Sequence, residues 1–183
     1  MNKILYIFIA LFISAISYGV YKEVTKVKTK IIRLDCQKKT TTFEKLYDNQ
    51  QLKKAQKLLF NNSYNLITQI EYSKYMKSKL INHFSKDNFI KIINNSIKEQ
   101  IKSQKKPTEQ KLTIKAYLYE NDKKDINKKS AKSKLFEGYV LIEFILNNKT
   151  LYKIQTDYMN NSSTDIKQRI DCAIKSFITL NSH

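Results

Sequence analysis

The chain has 183 residues, and its 34 lysines and arginines outnumber 16 acidic residues, which leaves a formal net charge of +18. Hydrophobic residues make up 42% of the chain, enough for a packed core, so a wholly disordered protein is excluded. Two glycines and one proline exclude collagen-like and linker classes. Two cysteines and two histidines exclude zinc ribbons, iron–sulfur centres and disulfide-dense miniproteins.

The N-terminus carries an apolar run without charge over residues 4–21, with Lys3 ahead of it. Such a run is typical of a secretory signal peptide or of a single transmembrane anchor. Small residues end the run, and Ser17 and Gly19 fit the positions of a cleavage site. Lysines directly after the run favour a different orientation, with the domain left on the cytoplasmic side. We expect a cleaved signal first, an uncleaved anchor with an exported domain second, and a cytoplasmic domain third.

The first half of the remaining chain predicts one strand and several helices. Residues 23–36 alternate between polar and apolar side chains, which predicts a strand. Helical spacing predicts helices over 49–60, over 73–84 and over 87–104. Asp87 would cap the third of these helices. Pro107 follows as a stop signal.

The second half predicts three antiparallel strands followed by a helix. The strands are expected over residues 111–120, 135–146 and 151–158, with a hairpin turn at 147–150. Gly138 interrupts the middle strand and suggests a bulge or a close backbone approach. A polar loop with six lysines occupies residues 121–134. The last helix carries a stripe of apolar residues at Ile166, Ile170, Ala173 and Phe177.

This order of elements predicts an α+β fold, with a three-stranded antiparallel meander and a C-terminal helix packed as a two-layer sandwich. Residues 1–21 form the signal peptide or anchor in this interpretation, and residues 22–183 form a single α+β domain.

One short motif occurs twice and contains every arginine and cysteine of the chain. The two copies are Arg33-Leu34-Asp35-Cys36 and Arg169-Ile170-Asp171-Cys172. Because arginine pairs with carboxylates through a planar fork, we predict a Cys36–Cys172 disulfide flanked by crossed Arg–Asp pairs. The bridge would tie the first strand to the last helix. Two buried free thiols or a reactive pair are the alternatives, and the lack of Cys-x-x-Cys spacing argues against redox chemistry.

Signals of catalysis are missing from the sequence. His83 and His183 are the only histidines, and no serine lies in the glycine-flanked turn of a hydrolase nucleophile. Two glycines cannot build a phosphate-binding loop, and no cluster has metal-ligand spacing. We therefore expect no enzyme, no cofactor, no metal and no small-molecule substrate.

The excess positive charge predicts attraction to polyanions, although an AT-rich codon bias would also supply many lysines. The candidate polyanion-binding residues lie in the predicted first strand and in the polar loop: Lys26, Lys28, Lys30, Lys123, Lys124, Lys128 and Lys129. Tyr117 and Tyr119 alternate with Lys115 as in a base-stacking surface, but tyrosine is common in strands for its propensity alone. We expect no specific nucleic-acid binding.

These observations predict an exported cell-envelope protein that acts by binding, with an envelope protein as its partner. The alternative is a membrane-anchored basic domain that binds anionic polymers or anionic lipid head groups.

Overall fold

The computed structural model describes residues 32–101, 107–128 and 131–181. The predicted leader and residues 23–31 of the predicted first strand lie outside these ranges. Among the described residues, no helix is both long and apolar enough to cross a membrane.

The described residues form five strands and three α-helices, which confirms the α+β class. The strands are β1 (Thr42–Leu46), β2 (Tyr64–Glu71), β3 (Leu112–Glu120), β4 (Gly138–Leu146) and β5 (Lys149–Tyr158). The helices are α1 (Leu52–Phe60), α2 (Lys86–Gln100) and α3 (Ile166–Ile178). Short 3-10 helices cover Asp35–Lys39, Leu80–Asn82 and Ala131–Lys134.

The strands form one five-stranded mixed sheet in the order β1-β5-β4-β3-β2. Its centre is the predicted antiparallel meander of β3, β4 and β5. β1 joins β5 antiparallel, whereas β2 joins β3 in parallel. A parallel pair requires a crossover between its strands, and α2 lies in that connection.

The hairpin between β4 and β5 follows the sequence prediction. Asn147 and Asn148 form a two-residue turn with φ angles of 51° and 60°. Positive φ at both central positions matches the right-handed twist of the paired strands, and asparagine tolerates this conformation better than most residues.

The hydrophobic core contains the apolar residues of the helices and one set of alternating sheet residues. Leu112, Ile114 and Leu118 of β3 are buried, as the alternation predicts. The predicted apolar stripe of α3 is buried too, and the ring of Phe177 stacks on Phe144 with centroids 3.8 Å apart. Burial of such large side chains stabilises by about 2 kcal/mol each.

The predicted helix over 73–84 is wrong. Residues 64–71 form β2, and the chain then runs without regular structure to a single 3-10 turn at Leu80–Asn82. Backbone N–H groups of residues 73–80 donate to the carboxylates of two buried residues rather than to the carbonyl groups of a helix. Glu120 accepts from Ser73, Lys79 and Leu80, while Asp122 accepts from Lys74 and Tyr75.

Other boundaries also differ from the sequence prediction: β4 begins at Gly138 rather than containing it, and α1 begins at Leu52 rather than at residue 49. Residues 35–39 form a 3-10 helix rather than the end of a strand. The side-chain carbonyl of Gln37 accepts from the backbone N–H groups of Arg33 and Leu34, at 2.9 and 3.2 Å, and this turns the chain. The N-cap of α2 is Ser85 and not Asp87, which lies in the first turn where its charge favours the helix dipole.

Candidate functional site

Cys36 and Cys172 are joined, as predicted. Their sulfurs lie 2.08 Å apart and their Cα atoms 5.8 Å apart, within the usual range for a disulfide. The disulfide joins the 3-10 helix Asp35–Lys39 to α3. Cys36 therefore lies in a short helix and not on the predicted strand.

The predicted crossed Arg–Asp pairs do not form. Arg33 pairs with Glu44, and Arg169 pairs with Asp165 one helical turn before it at 3.2 Å. The aspartates of the motif pair with lysines: Asp35 with Lys38 at 2.7 Å and Asp171 with Lys167 at 3.0 Å. The Asp35 side chain is exposed, whereas Arg169, its predicted crossed partner, is buried and pairs within its own helical segment.

Glu44 is the centre of a polar network beneath the disulfide segment. Its carboxylate accepts from Arg33, from the side-chain amide of Gln37 at 2.9 Å, and from the hydroxyl of Tyr152. Burial and the neighbouring Glu44 raise the pKa of Tyr152, so this phenol stays protonated as a donor. The network therefore joins the segment around Gln37, β1 and β5.

A groove of about 550 Å³ lies beside the disulfide. Its lining mixes the cations Lys39 and Lys175 with the anions Glu99 and Asp171. Neither cysteine of the chain is a free thiol there, and the part of the chain that the structure describes has no cluster of acids, histidines and cysteines able to hold a metal ion.

The sheet presents a second surface, which we call the open face. Cross-strand register places its residues side by side on β1, β5, β4 and β3. On these strands and directly after β1 it includes Phe43, Lys45, Tyr47, Lys115, Tyr117, Tyr119, Tyr139, Leu141, Glu143, Lys153 and Gln155. Ile67 and Gln69 of β2 lie beside Lys115 and Tyr117 on the same face. All of these side chains are half-buried or exposed, whereas the residues with which they alternate on β3, β4 and β5 are buried.

Large apolar side chains are accessible on the open face. Phe43 is 61% exposed and Tyr47 is 52% exposed. Two shallow hollows, of about 230 and 190 Å³, lie on either side of Leu141, which lines both. Phe43 and Tyr47 line one hollow and Tyr117 lines the other. Exposed aromatic and apolar side chains grouped on one face are typical of interaction sites.

Three tyrosines cluster at one end of the open face. The Tyr119 ring lies 4.8 Å from that of Tyr139 and 6.4 Å from that of Tyr117. Burial and the acceptor Glu71 raise the pKa of Tyr117, and burial raises that of Tyr139. The phenols of Tyr117 and Tyr139 therefore stay neutral near pH 7, and the three rings form a stacking surface with hydroxyl groups at its rim.

Three of the lysines predicted to bind polyanions lie in the part of the chain that the structure describes, and two of these make side-chain contacts. Lys123 pairs with Glu137, and Lys128 donates to the Asn121 side chain at 2.6 Å and to the Tyr119 hydroxyl at 2.8 Å. Lys124 is exposed. Lys26, Lys28, Lys30 and Lys129 lie outside the described residues.

The polar loop is also more than a solvated segment. Asn121 and Asp122 are buried, and their side chains bind the neighbouring backbone. The alternation of Lys115, Tyr117 and Tyr119 in the sequence indicates the part of the open face that lies on β3. The part on β1 cannot be recognised from the sequence, because it depends on the order of the strands in the sheet.

The comparisons with known proteins add no relative. No family model, no curated protein and no solved structure matches the chain.

Proposed function

We propose that this protein is an exported, non-enzymatic binding module of a cell envelope and that its open face binds a partner protein. The observation that carries the proposal is the exposure of Phe43, Tyr47 and the tyrosine cluster on one sheet surface. The apolar run at residues 4–21 and the disulfide both favour an oxidising compartment outside the cytoplasm.

The chemistry of the open face favours a protein over a small ligand. Its hollows are shallow, and tyrosine and phenylalanine are enriched at protein interfaces. Lys45 and Lys115 rim the apolar centre, and Lys153 pairs with Glu143 at 2.8 Å. We therefore propose a partner with an apolar contact surface and an acidic rim. In this proposal the three helices cover the opposite side of the sheet as a two-layer sandwich.

Site-specific photocrosslinking in the native cells tests the proposal. Photoreactive residues at Phe43 and Tyr47 should give the same defined protein adduct. Ile81 and Phe60 are 58% and 37% exposed, lie outside the strands of the open face and serve as matched controls. Equal adducts from all four positions, or none from the open face, would overturn the proposal.

A charge substitution provides the second arm of this test. Leu141→Lys places a cation between the two hollows and should abolish binding of the crosslinked partner. Leu135→Lys, at a position 68% exposed and outside the open face, should leave binding unchanged. Circular dichroism of both variants checks that the fold is retained.

The net charge of +18 favours a second candidate function, the binding of anionic polymers or anionic lipid head groups. Counterion release would make that affinity fall steeply with salt. Anionic and neutral vesicles, compared at low and physiological salt, distinguish this function from protein binding. Leu141→Lys adds a cation and would not weaken polyanion binding, in contrast to its effect on a protein partner.

Export is tested separately by intact mass. Removal of the residues up to about Gly19 is the expected result for a cleaved signal peptide. A full-length mass confined to the membrane pellet would instead identify an anchor.

A further inference from the structure

The free edge of β2 has an unusual composition for this protein. Among the described residues β2 is paired only with β3, so it ends the sheet. Its eight residues, YNLITQIE, contain no lysine or arginine, although the chain has 34. The single charge is Glu71 at the last position.

The opposite edge is protected in the usual way. β1 is only five residues long and carries Glu44 and Lys45. Short length and charged side chains prevent an edge strand from pairing with another chain. β2 is longer and lacks an internal charge, so its unpaired backbone groups can accept a further strand.

Apolar side chains at β2 are incompletely covered on both sides of the strand. Leu66 and Ile70 pack against the core but are only half-buried, whereas Ile114 and Leu118 on the neighbouring strand are buried. On the other side, Ile67 is 52% exposed. An added strand would cover both sets at once.

We propose that β2 pairs antiparallel with β2 of a second copy of this chain and so joins two five-stranded sheets into one continuous sheet. A second copy is a suitable partner because two β2 strands can pair antiparallel without placing like charges opposite each other. In an antiparallel pair the two Glu71 residues lie at opposite ends, and no lysine meets a lysine despite the net charge of +18.

The proposed register follows from the two faces of the strand. Residues directly opposite each other in a strand pair point to the same face of the sheet. The side chains of β2 that pack on the core, such as Leu66 and Ile70, occupy even positions. They lie opposite core-facing side chains of the second copy only when even positions oppose even positions and odd positions oppose odd positions. Pairing Ile67 with its symmetry mate satisfies this condition and places Asn65 opposite Gln69 of the second copy. Their amide side chains can then hydrogen-bond across the pair.

Salt should strengthen this association. The two copies repel each other through their positive charges, and added salt screens that repulsion over about 8 Å at physiological ionic strength. This dependence is opposite in sign to that of polyanion binding.

The first test measures self-association of the full-length chain in mild detergent by sedimentation over a range of concentrations. Wild type should form a dimer that strengthens between low and physiological salt. Ile67→Lys should weaken dimerisation at least tenfold, because two lysines would then meet at the two-fold axis. The matched control Ile81→Lys, at a position 58% exposed, should dimerise as wild type does.

Cysteine crosslinking tests the register. Asn65→Cys mixed with Gln69→Cys should form an intermolecular disulfide, whereas Asn65→Cys mixed with Thr68→Cys should not. A chain that stays monomeric at every concentration would overturn the proposal, as would a dimer that Ile67→Lys leaves unchanged. Leu141→Lys should leave the dimer intact, so loss of partner binding at the open face and loss of self-association are distinguishable.

Discussion

Arg33 binds the Glu44 carboxylate in a bidentate pair: Nε donates to Oε1 and Nη2 donates to Oε2, each at 3.1 Å. The same guanidinium donates to the backbone carbonyl of Ser176 at 2.5 Å and to the hydroxyl of Thr179 at 2.8 Å. One side chain therefore joins the segment before the disulfide, β1 and the end of α3. Lysine cannot reproduce this planar geometry, which explains the use of arginine in a lysine-rich chain.

Arg33→Lys should lower the free energy of unfolding by about 2 kcal/mol, because a point charge replaces a bidentate pair and two further hydrogen bonds. Urea unfolding measures the change. A double-mutant cycle with Glu44→Gln should show coupling between the two positions. Additive effects of the two substitutions would contradict the pairing.

Loss of the Cys36–Cys172 bond should lower the free energy of unfolding by about 5 kcal/mol in the chain-entropy description, because the bond spans 136 residues. Unfolding with and without reductant measures this difference. The double variant Cys36→Ala/Cys172→Ala should match reduced wild type and should not respond to reductant. Alkylation of both thiols in native protein without reductant would disprove the bond.

Glu120→Gln should destabilise the segment 73–80 by about 2 kcal/mol at pH 7, since an amide replaces a buried carboxylate that accepts several hydrogen bonds. Burial alone would raise the pKa of Glu120, but these hydrogen bonds lower it below its ordinary value of 4.5. Hydrogen exchange of residues 73–80 and thermal unfolding across pH measure the effect.

The sign of the pH dependence follows from the lowered pKa. The carboxylate stabilises the folded state fully above its unfolded pKa of about 4.5, and this contribution is lost as pH falls through the lower folded pKa. The difference between wild type and Glu120→Gln should therefore shrink on acidification. A constant difference from pH 7 to strongly acidic pH would contradict the assignment.

Gly138→Ala should cost about 3 kcal/mol or more, because an added Cβ would lie 2.0 Å from the backbone oxygen of Tyr119 and 2.5 Å from the Tyr158 ring. Thermal unfolding measures the loss. Tyr158→Leu should not rescue the variant, since the backbone clash remains. Full rescue would show that only the ring limits this position.

The sequence alone determined those features that depend on local periodicity and turn chemistry. Strict alternation over β3 and the Asn-Asn turn before β5 specify strand, face and hairpin without reference to distant residues. The two matching Arg-x-Asp-Cys segments predicted the pairing of the cysteines, and the stripe of α3 identified its buried side.

Tertiary structure decided the features that depend on partners far along the chain. The spacing of Tyr72, Met76, Leu80 and Phe84 predicts a helix, but the carboxylates of Glu120 and Asp122 capture the N–H groups that such a helix needs. Local spacing likewise cannot show that Arg33 binds Glu44, since burial and not proximity in sequence selects the carboxylate.

The open face and the free edge arise from strand order, which no single segment encodes. β1 lies beside β5 and β2 lies beside β3 because burial of alternate residues on a shared core decides which strands become neighbours and which become edges. Long-range packing free energy, rather than local preference, thereby determines where this protein presents its aromatic surface and its uncharged strand.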